Sequence, residues 1–291
     1  MAPETHEQRL RQIKEDAQAF IREMPECEKL VRMYEEMLIA REMARSDFMR
    51  AVVEMDAGRA AIYTRAGVTL LGEISTSFDR AAAARLFARL KEIASRHGQE
   101  FAAQVGKIDA GEAAGRLDPG AVLEDAFRNS SGEESAAVAD GLGFDRHFFA
   151  MLVSWSVRPA LEAYGGKLRN LVDESQWEKP QCPVCGRMPY IARLEGEEGR
   201  KVLCCPGCAA AWRYPRLMCA NCATRDQKSL RILYPEGAGR ERYAEVCDRC
   251  GKYLKVIDAR KLARMPVMEL ADAGTVHIDL LAGREGFAGL Y

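Results

Sequence analysis

The sequence predicts a multidomain protein of the α plus small β class, with an N-terminal all-α domain followed by two tandem metal modules. Apolar residues recur at three- and four-residue steps through the first part of the chain, which is the spacing of helices that bury one face. Short strand patterns and four CxxC pairs follow over 182–258, as is typical of small β modules built around metal ions. We expect domains over 1–175, 176–215 and 216–291.

Length and composition bound the functional classes. The chain has 291 residues, 48% of them hydrophobic, so it can bury a substantial core. Its formal net charge of −1 argues against a general affinity for nucleic acid or membrane surfaces. No apolar stretch is long enough to cross a bilayer, and 1–7 has no apolar signal core. We therefore expect a cytoplasmic protein with no membrane insertion.

Helical periodicity divides the N-terminal domain into segments. Helices are predicted over 7–24, from 28 past 48, over 80–105, around 122–127, over 135–141 and over 144–171, with the last interrupted at Pro159. Glycines around an apolar run predict a loop over 57–79. A polar segment, 173–181, then leads into the cysteine region.

Nine of the ten cysteines lie between 182 and 250. Eight of them form CxxC pairs, namely Cys182/Cys185, Cys205/Cys208, Cys219/Cys222 and Cys247/Cys250. Two residues between cysteines let a tight turn aim both sulfurs at one cation, so four turns supply the ligands of two tetrahedral sites. We therefore predict two tetrathiolate-bound metal ions.

The first pair lies in Cys182-Pro183-Val184-Cys185-Gly186, which has the form of a rubredoxin-type knuckle. Proline presets the backbone entering the turn, and glycine tolerates positive φ leaving it. The fourth pair keeps the trailing glycine, whereas the second and third lack it and are predicted to be looser copies. The rubredoxin form favours iron, and zinc is the alternative because thiolates bind both metals.

The cysteine region reads as an internal duplication of a rubredoxin-like, or zinc-ribbon, module. Strands predicted over 190–194 and 200–203 flank a turn at 195–199, and strands over 230–234 and 242–246 flank a turn at 235–239. Each module is therefore knuckle, hairpin, knuckle, and closing a metal within one module costs the least loop entropy. The alternative is a cross-braced arrangement that joins Cys182/Cys185 to Cys219/Cys222. Beyond the last pair, 253–257 and the alternating 276–280 are predicted to be strands.

Two cysteines fall outside this pattern. Cys204 would leave three residues before Cys208, so we take Cys205 as the ligand and Cys204 as a spare thiol. Cys27 stands alone and is interpreted as a small core or surface residue. A disulfide framework is the alternative for the eight CxxC cysteines, but it needs an oxidising compartment.

The sequence offers few groups of residues that could act together in catalysis. The sequence has no phosphate-binding glycine loop, no nucleophile elbow and no histidine pair at ligand spacing. His147 beside Asp145 and His277 beside Asp279 are candidate bases, but each is better explained as a packed or capping histidine. We therefore predict that the chain is not an enzyme.

Zinc ribbons often bind nucleic acid, so the charge of the cysteine region matters. Its excess of basic residues is largely offset because a dication with four thiolates carries a charge of about −2. Four arginines are expected to balance thiolate charge instead of contacting phosphates: Arg213, Arg216, Arg225 and Arg249. Binding of nucleic acid is therefore the less favoured alternative.

The cysteine region resembles a known family. The resemblance rests on the run from Cys182 to Pro189, on Cys205 and Cys208 followed by Trp212, on Cys219/Cys222, and on the run from Cys247 to Lys255. These segments resemble the FdhE family, the formate dehydrogenase accessory proteins. The family's tail motif is matched at 285–287, although the chain stops at Tyr291, short of the longer polar end of relatives.

The resemblance implies a cytoplasmic, non-enzymatic factor with rubredoxin-like iron sites. The implied partner of this factor is the catalytic subunit of respiratory formate dehydrogenase. The factor is implied to be needed for the formation of the active enzyme. The rival interpretation is a rubredoxin-like electron-transfer or redox-responsive protein. Because an electron carrier needs no large helical domain, we expect binding to another protein.

Overall fold

The computed structural model of the chain describes residues 5–49, 51–236 and 239–290. The chain forms two compact units, the first from Met1–Val53 and Ser75–Tyr164 and the second from Glu54–Ile74 and Gly165–Tyr291. The domain boundaries near 175 and 215 stay predictions, because compactness alone does not show which segments fold independently.

The helices in chain order are α1 (His6–Glu23), α2 (Glu28–Ala44), α3 (Ala57–Ala66), α4 (Arg80–Arg96), α5 (Gln99–Ala113), α6 (Pro119–Arg128), α7 (Glu133–Leu142), α8 (Arg146–Leu168), α9 (Met268–Ala273) and α10 (Val276–Arg284). The first unit contains α1, α2, α4 to α7 and most of α8. The second contains α3, α9 and α10 together with all the strands.

Local sequence explains where the helices of the first unit begin. Thr5 accepts a hydrogen bond from the backbone N–H of Gln8, whose side chain accepts one from the N–H of Thr5, which is a capping box at the start of α1. Asp79 caps α4 by accepting from the Ala82 N–H. The helix predicted over 80–105 is two helices, because the chain turns at Gly98 between α4 and α5.

The core of the first unit is aromatic and aliphatic. Phe87 of α4 and Phe149 of α8 are both buried and meet edge to face, with ring centroids 6.2 Å apart. Lys91 of α4 reaches α5, where its Nζ lies 2.6 Å from Asp109 Oδ1 and 2.5 Å from Glu112 Oε1. α8 continues through Pro159, so of the two predicted forms, a kinked helix or a helix pair, the helix pair is not formed.

The second unit is built on one six-stranded sheet. Its strands are β1 (Ile191–Glu195), β2 (Arg200–Cys204), β3 (Ala211–Tyr214), β4 (Leu230–Leu233), β5 (Arg242–Cys247) and β6 (Lys252–Asp258). The spatial order is β3-β2-β1-β6-β5-β4. Each predicted hairpin therefore gains a third strand, β3 in the first module and β6 in the second, and each set of three is antiparallel.

The two modules share this sheet through β1 and β6. These strands run parallel, with Ile191 opposite Lys255 and Leu194 opposite Asp258. Each module thus covers an edge strand of the other by pairing with it, and the two modules form one continuous sheet. The turn predicted over 235–239 lies partly outside the described residues, because 237 and 238 are not among them.

Two sequence predictions about this unit are wrong. The loop predicted over 57–79 contains α3, which begins where Asp56 accepts a hydrogen bond from the Arg59 N–H and ends at left-handed Gly67. The strand predicted over 276–280 lies in α10, which buries Ile278 and Ala282 four residues apart. A short apolar alternation does not distinguish strand from helix until its packing partner is known.

Candidate metal centres

The structure brings the eight CxxC sulfurs together in two groups. Within each group the Sγ atoms all lie within 4.8 Å of one another, so each group can hold a metal ion. The first thiolate site is Cys182, Cys185, Cys205 and Cys208, and the second thiolate site is Cys219, Cys222, Cys247 and Cys250. This grouping is the sequential one that loop entropy predicts, and the cross-braced alternative is not the one formed.

The sulfur separations fit metal binding and not disulfides. In the first site the Sγ atoms of Cys182 and Cys208 are 3.5 Å apart, and in the second those of Cys219 and Cys250 are 3.7 Å apart. Four sulfurs at about 2.3 Å from a central ion form a tetrahedron with edges of about 3.8 Å. A disulfide would need about 2.05 Å, and all ten cysteines are free thiols. Tetrathiolate geometry suits both iron and zinc.

All four knuckles share one backbone shape. The residue after the second cysteine is left-handed in each, with φ of 79° at Gly186, 56° at Ala209, 54° at Ala223 and 66° at Gly251. The interpretation of the middle knuckles as looser copies is therefore wrong. Alanine is held there in a conformation that L-residues normally avoid, because the turn must bring both sulfurs to one point.

Backbone hydrogen bonds close these turns. The N–H of Cys182 donates to the Arg187 carbonyl at 2.9 Å, and the N–H of Cys219 donates to the Thr224 carbonyl at 3.0 Å. Inside the turns, the N–H of Asn221 points at Cys219 Sγ, 3.4 Å away. Donors aimed at sulfur favour the thiolate, the form that binds metal. At Cys219, burial outweighs these donors and raises the pKa of the thiol.

The first thiolate site is enclosed by other parts of the second unit. All four of its cysteines are buried. The backbone N–H groups of Leu70 and Leu71 donate to the carbonyls of Pro183 and Val184, at 3.0 and 2.8 Å. The 57–79 segment, which the sequence assigns to a loop in the helical domain, thus forms part of the wall around the first knuckle.

Gly165, near the end of α8, lies against the second knuckle of this site. A Cβ at Gly165 would stand 2.4 Å from the Cys208 carbonyl oxygen and 2.9 Å from Cys208 Cβ. Only glycine therefore allows the helix to approach this closely. The glycine pair at 165–166 interrupts the apolar helical pattern, and that interruption is the signal that sequence reasoning passed over.

Arg187 supplies positive charge to the first site. Burial opposes the charge of its guanidinium, but the nearby Cys185 and Cys205 sulfurs outweigh burial and raise the pKa of Arg187. Hydrogen bonds from the neighbouring thiols, together with the Arg187 charge, hold the pKa of Cys185 well below its usual value. Sequence reasoning missed this residue, although it directly follows the first Cys-Pro-Val-Cys-Gly turn.

The second thiolate site is open on one side. Cys219 and Cys247 are buried, whereas Cys250 is half-buried and Cys222 is exposed. Partial burial opposes ionisation of Cys250, but hydrogen bonds from the Asn221 side chain and the Lys252 backbone lower its pKa to about 7. On the buried side, Tyr214 donates its hydroxyl to the Cys219 carbonyl at 2.8 Å.

The remaining cysteines lie apart from both groups. Cys204 is buried in β2, and burial raises its pKa to about 11. Val246 occupies the matching position in the second module, immediately before Cys247, and is also buried. Cys204 is therefore a core residue that lies outside both groups of four cysteines. Cys27 is buried in the first unit.

The arginines expected to offset thiolate charge have other partners. Arg213 lies 3.6 Å from Glu174, and Arg225 lies 2.7 Å from Glu178. Arg216 donates to the Gly199 carbonyl at 3.2 Å, and Arg249 donates to Thr224 Oγ1 at 3.3 Å.

The carboxylates beside the candidate bases have structural partners. His147 and Asp145 lie at the start of α8, where Asp145 accepts a hydrogen bond from the Phe148 backbone N–H. Asp279 accepts from Tyr253 at 2.7 Å and from Lys255 at 2.7 Å, which ties α10 to β6. These carboxylates therefore serve a helix start and a helix–strand contact.

The chain is 32% identical over 158 residues to the protein FdhE homolog of Aquifex aeolicus, covering 53% of each chain. It is 29% identical over 136 residues to protein FdhE of Escherichia coli O1:K1, covering 44% of this chain and 43% of that one. No family model matches.

The chain is similar to proteins of the FdhE family. The resemblance stated from the cysteine region is confirmed by these matches, and the chain spans about half the length of the curated relatives it matches. The crystal structure of FdhE from Pseudomonas aeruginosa has a similar fold, with a TM-score of 0.60, 18% identity, and coverage of 97% of this chain and 93% of that one. The predicted fold class is confirmed by this FdhE fold and by the two groups of four cysteines.

Among the described residues, none of the helices combines the length and the apolar character that crossing a membrane requires.

Proposed function

We propose that the chain is a cytoplasmic, non-enzymatic accessory protein needed for the formation of active respiratory formate dehydrogenase, and that it binds the catalytic subunit of that enzyme. The observation that carries the proposal is the pair of thiolate sites in a chain related to the FdhE proteins. A metal-stabilised sheet on a helical chain suits a binding protein, since such sites commonly hold a surface in shape.

The proposal includes two metal ions, one in each thiolate site, with iron favoured and zinc as the alternative. The eight ligands would be Cys182, Cys185, Cys205, Cys208, Cys219, Cys222, Cys247 and Cys250. The ions would supply much of the folding free energy of the modules, because neither three-stranded module has room for a large core of its own. Elemental analysis of the purified chain tests this directly, with two metal equivalents expected.

The binding surface is proposed to lie on the metal modules. Within the second unit, these modules carry exposed apolar side chains next to the knuckles and on the edge strand, such as Leu217 and Ile232. Leu217 is two residues before Cys219, and Ile232 lies in β4, at one edge of the sheet. Exposed apolar groups on an ordered surface are typical of protein contacts.

A pull-down from the native host tests partner binding. The baits are the full chain, the Cys182→Ser/Cys185→Ser variant and the Cys247→Ser/Cys250→Ser variant, with Cys204→Val as the matched control. The control removes a buried cysteine that lies outside both sites and substitutes the residue type found at 246 in the other module. The wild-type and control baits should retain the formate dehydrogenase catalytic subunit, and both double variants should lose it.

A deletion strain completes the test. Formate oxidation by the respiratory enzyme should fall in the strain and return with the wild-type or Cys204→Val gene. Unchanged formate oxidation after the deletion, together with a wild-type bait that retains no formate dehydrogenase subunit, would remove the proposed function.

One observation favours a second candidate, a rubredoxin-like electron carrier. The exposure of Cys222 places one ligand of the second thiolate site at the surface, where an electron could pass to a partner. The two candidates separate in a redox titration of the iron-loaded chain. Fast, reversible one-electron reduction by a physiological donor would favour the carrier, and a chain that binds its partner equally in both redox states would favour the accessory role.

A further inference from the structure

We propose that the two thiolate sites have different roles, with the second serving as the metal exchange site of the chain and the first as a closed structural site. This inference rests on the two metal ions of the proposed function. It concerns the second site's own chemistry: release and uptake of thiophilic metal ions such as zinc through the side formed by Cys222 and Cys250.

The contrast in burial is the first step. Every cysteine of the first site is at most 8% exposed, whereas Cys222 of the second is exposed and Cys250 is half-buried. The two exposed sulfurs belong to different knuckles, the third and the fourth. An incoming ligand can therefore approach the metal between the two knuckles without first separating buried strands.

The second step is what covers each site. Around the first site, the backbone of Leu70 and Leu71 is hydrogen-bonded to the first knuckle, and Gly165 of α8 lies against the second. At the third knuckle, Ala223 is exposed and Cys222 precedes it at the surface. At the fourth, the Ala288 N–H donates to the Gly251 carbonyl at 2.9 Å, but Asp248 and Arg249 are exposed between the two cysteines. The described residues thus enclose one site and leave one side of the other to solvent.

Ligand exchange follows from this geometry without any redox step. With a metal ion bound, a chelator donor would replace Cys222 Sγ and then Cys250 Sγ, and each departing sulfur would keep its electron pair as a thiolate or take up a proton from water. Cys219 and Cys247 would hold the ion until the chelator removes it. At the first site, the same substitution requires local opening of packed segments, which is slower.

Zinc release from the full chain tests the proposal. The zinc-loaded protein is mixed with excess EDTA, zinc release is followed over time, and freed thiols are trapped with N-ethylmaleimide and located by peptide mass mapping. We expect one zinc equivalent to leave at least about tenfold faster than the other, since only the slower one requires local unfolding. The labels of the fast phase should fall on Cys219, Cys222, Cys247 and Cys250.

Cys27 and Cys204 serve as internal controls, because both are buried and lie outside the two sites. They should remain unlabelled during the fast phase, which shows that the chain has not unfolded as a whole. The Cys222→Ser variant should lose the fast phase and keep the slow one, and the mapping of the wild-type chain stands even where that variant fails to fold.

Several results would overturn the inference. Equal release rates, early labelling of the first-site cysteines, or labelling of Cys204 in step with zinc loss would each do so while leaving the accessory function intact. Fewer than two zinc equivalents in the loaded protein would instead remove the metal proposal from which the inference starts. Since no partner protein is present, failure to bind formate dehydrogenase has no bearing on the result.

Discussion

The two metal modules have the same internal plan and different surroundings. Each consists of a knuckle, a hairpin, a second knuckle and a third strand, and each places a buried apolar side chain four residues after its last cysteine, Trp212 in one and Leu254 in the other. Outside that plan they differ. Segments from elsewhere in the chain cover the cysteines of the first module, whereas helix α10 and the chain end cover the sheet of the second.

This difference shows that duplication fixes the arrangement of the four sulfurs but not the segments that cover them. In the second module, Ile278 and Ala282 of α10 and Phe287 pack against Ala244 and Val246 of β5, so its apolar cover lies over the strands. The chain end contacts the fourth knuckle through the backbone, where the Ala288 N–H donates to the Gly251 carbonyl at 2.9 Å. The tail motif at 285–287 thereby acquires a structural role, and the carbonyl of Ala288 accepts from the Tyr253 N–H at 2.9 Å.

The largest expected effect comes from removing one site at a time. Structural tetrathiolate sites contribute on the order of 10 kcal/mol to folding, so Cys182→Ser/Cys185→Ser should unfold the first module. Because Leu70 and Leu71 are bonded to its first knuckle, amides over 54–74 should also lose protection. Hydrogen exchange with mass spectrometry measures this.

The matched variant is Cys247→Ser/Cys250→Ser, which should expose β4, β5 and the chain end but spare 54–74. Both variants should loosen the shared β1–β6 pairing, since each strand completes the edge of the other module. Equal loss of protection over 54–74 in the two variants would contradict the comparison.

Gly165→Ala probes the cover of the first site alone. Its Cβ would lie 2.4 Å from a backbone oxygen of Cys208, and crowding of a packed site costs roughly 1–3 kcal/mol, here near the upper end because backbone must move. We expect a lower Tm and faster zinc loss from the first site. Gly166→Ala is the control, because nothing lies within 4 Å of its Cβ. Alanine in a helix should stabilise that variant by about 0.5–1 kcal/mol. Equal Tm changes would mean that α8 does not press on the knuckle.

Arg187→Gln tests whether the positive charge of Arg187 stabilises metal binding at the first thiolate site. The guanidinium donates to a first-site thiolate, and a hydrogen bond to a charged group contributes about 1.5 kcal/mol or more. Loss of that charge should weaken zinc binding at the first site roughly tenfold. Lys252 follows the fourth knuckle as Arg187 follows the first, but its Nζ donates to the Gly289 carbonyl at 3.0 Å. Lys252→Gln should therefore change zinc affinity much less. Competition against a chelator of known affinity measures both variants, and equal effects would argue against a specific role of Arg187.

These contrasts also mark what sequence can predict. The eight cysteines of the two groups were predictable because CxxC spacing is a local property, and their grouping followed from loop length. Helices with a long apolar face were predictable for the same reason. The pairing of β1 with β6 was not, because it joins distant parts of the chain whose side chains carry no complementary mark.

The segments that cover the first thiolate site could not be predicted from the sequence either. Leu70 and Leu71 reach the knuckle through backbone N–H groups, which every non-proline residue possesses, so no residue type signals the contact. Arg187 was visible in the sequence, but only the folded turn shows that its charge faces sulfur and not solvent or phosphate.

The smallest expected effect concerns the turns that the modules share. Ala223 is held at φ of 54° where the first and fourth knuckles have glycine. A left-handed alanine strains the folded state by about 1–2 kcal/mol, which glycine would relieve. Glycine also gives the unfolded chain more conformational freedom, which offsets about 0.4–1 kcal/mol of that gain in stability. Ala223→Gly should therefore stabilise the zinc-loaded chain by about 0.5–1 kcal/mol, seen as a higher Tm. Ala220→Gly, in the same turn and without positive φ, should lower the Tm, because it gains no relief from strain. A lower Tm for Ala223→Gly as well would mean that the alanine methyl, and not the backbone angle, decides the stability of this knuckle.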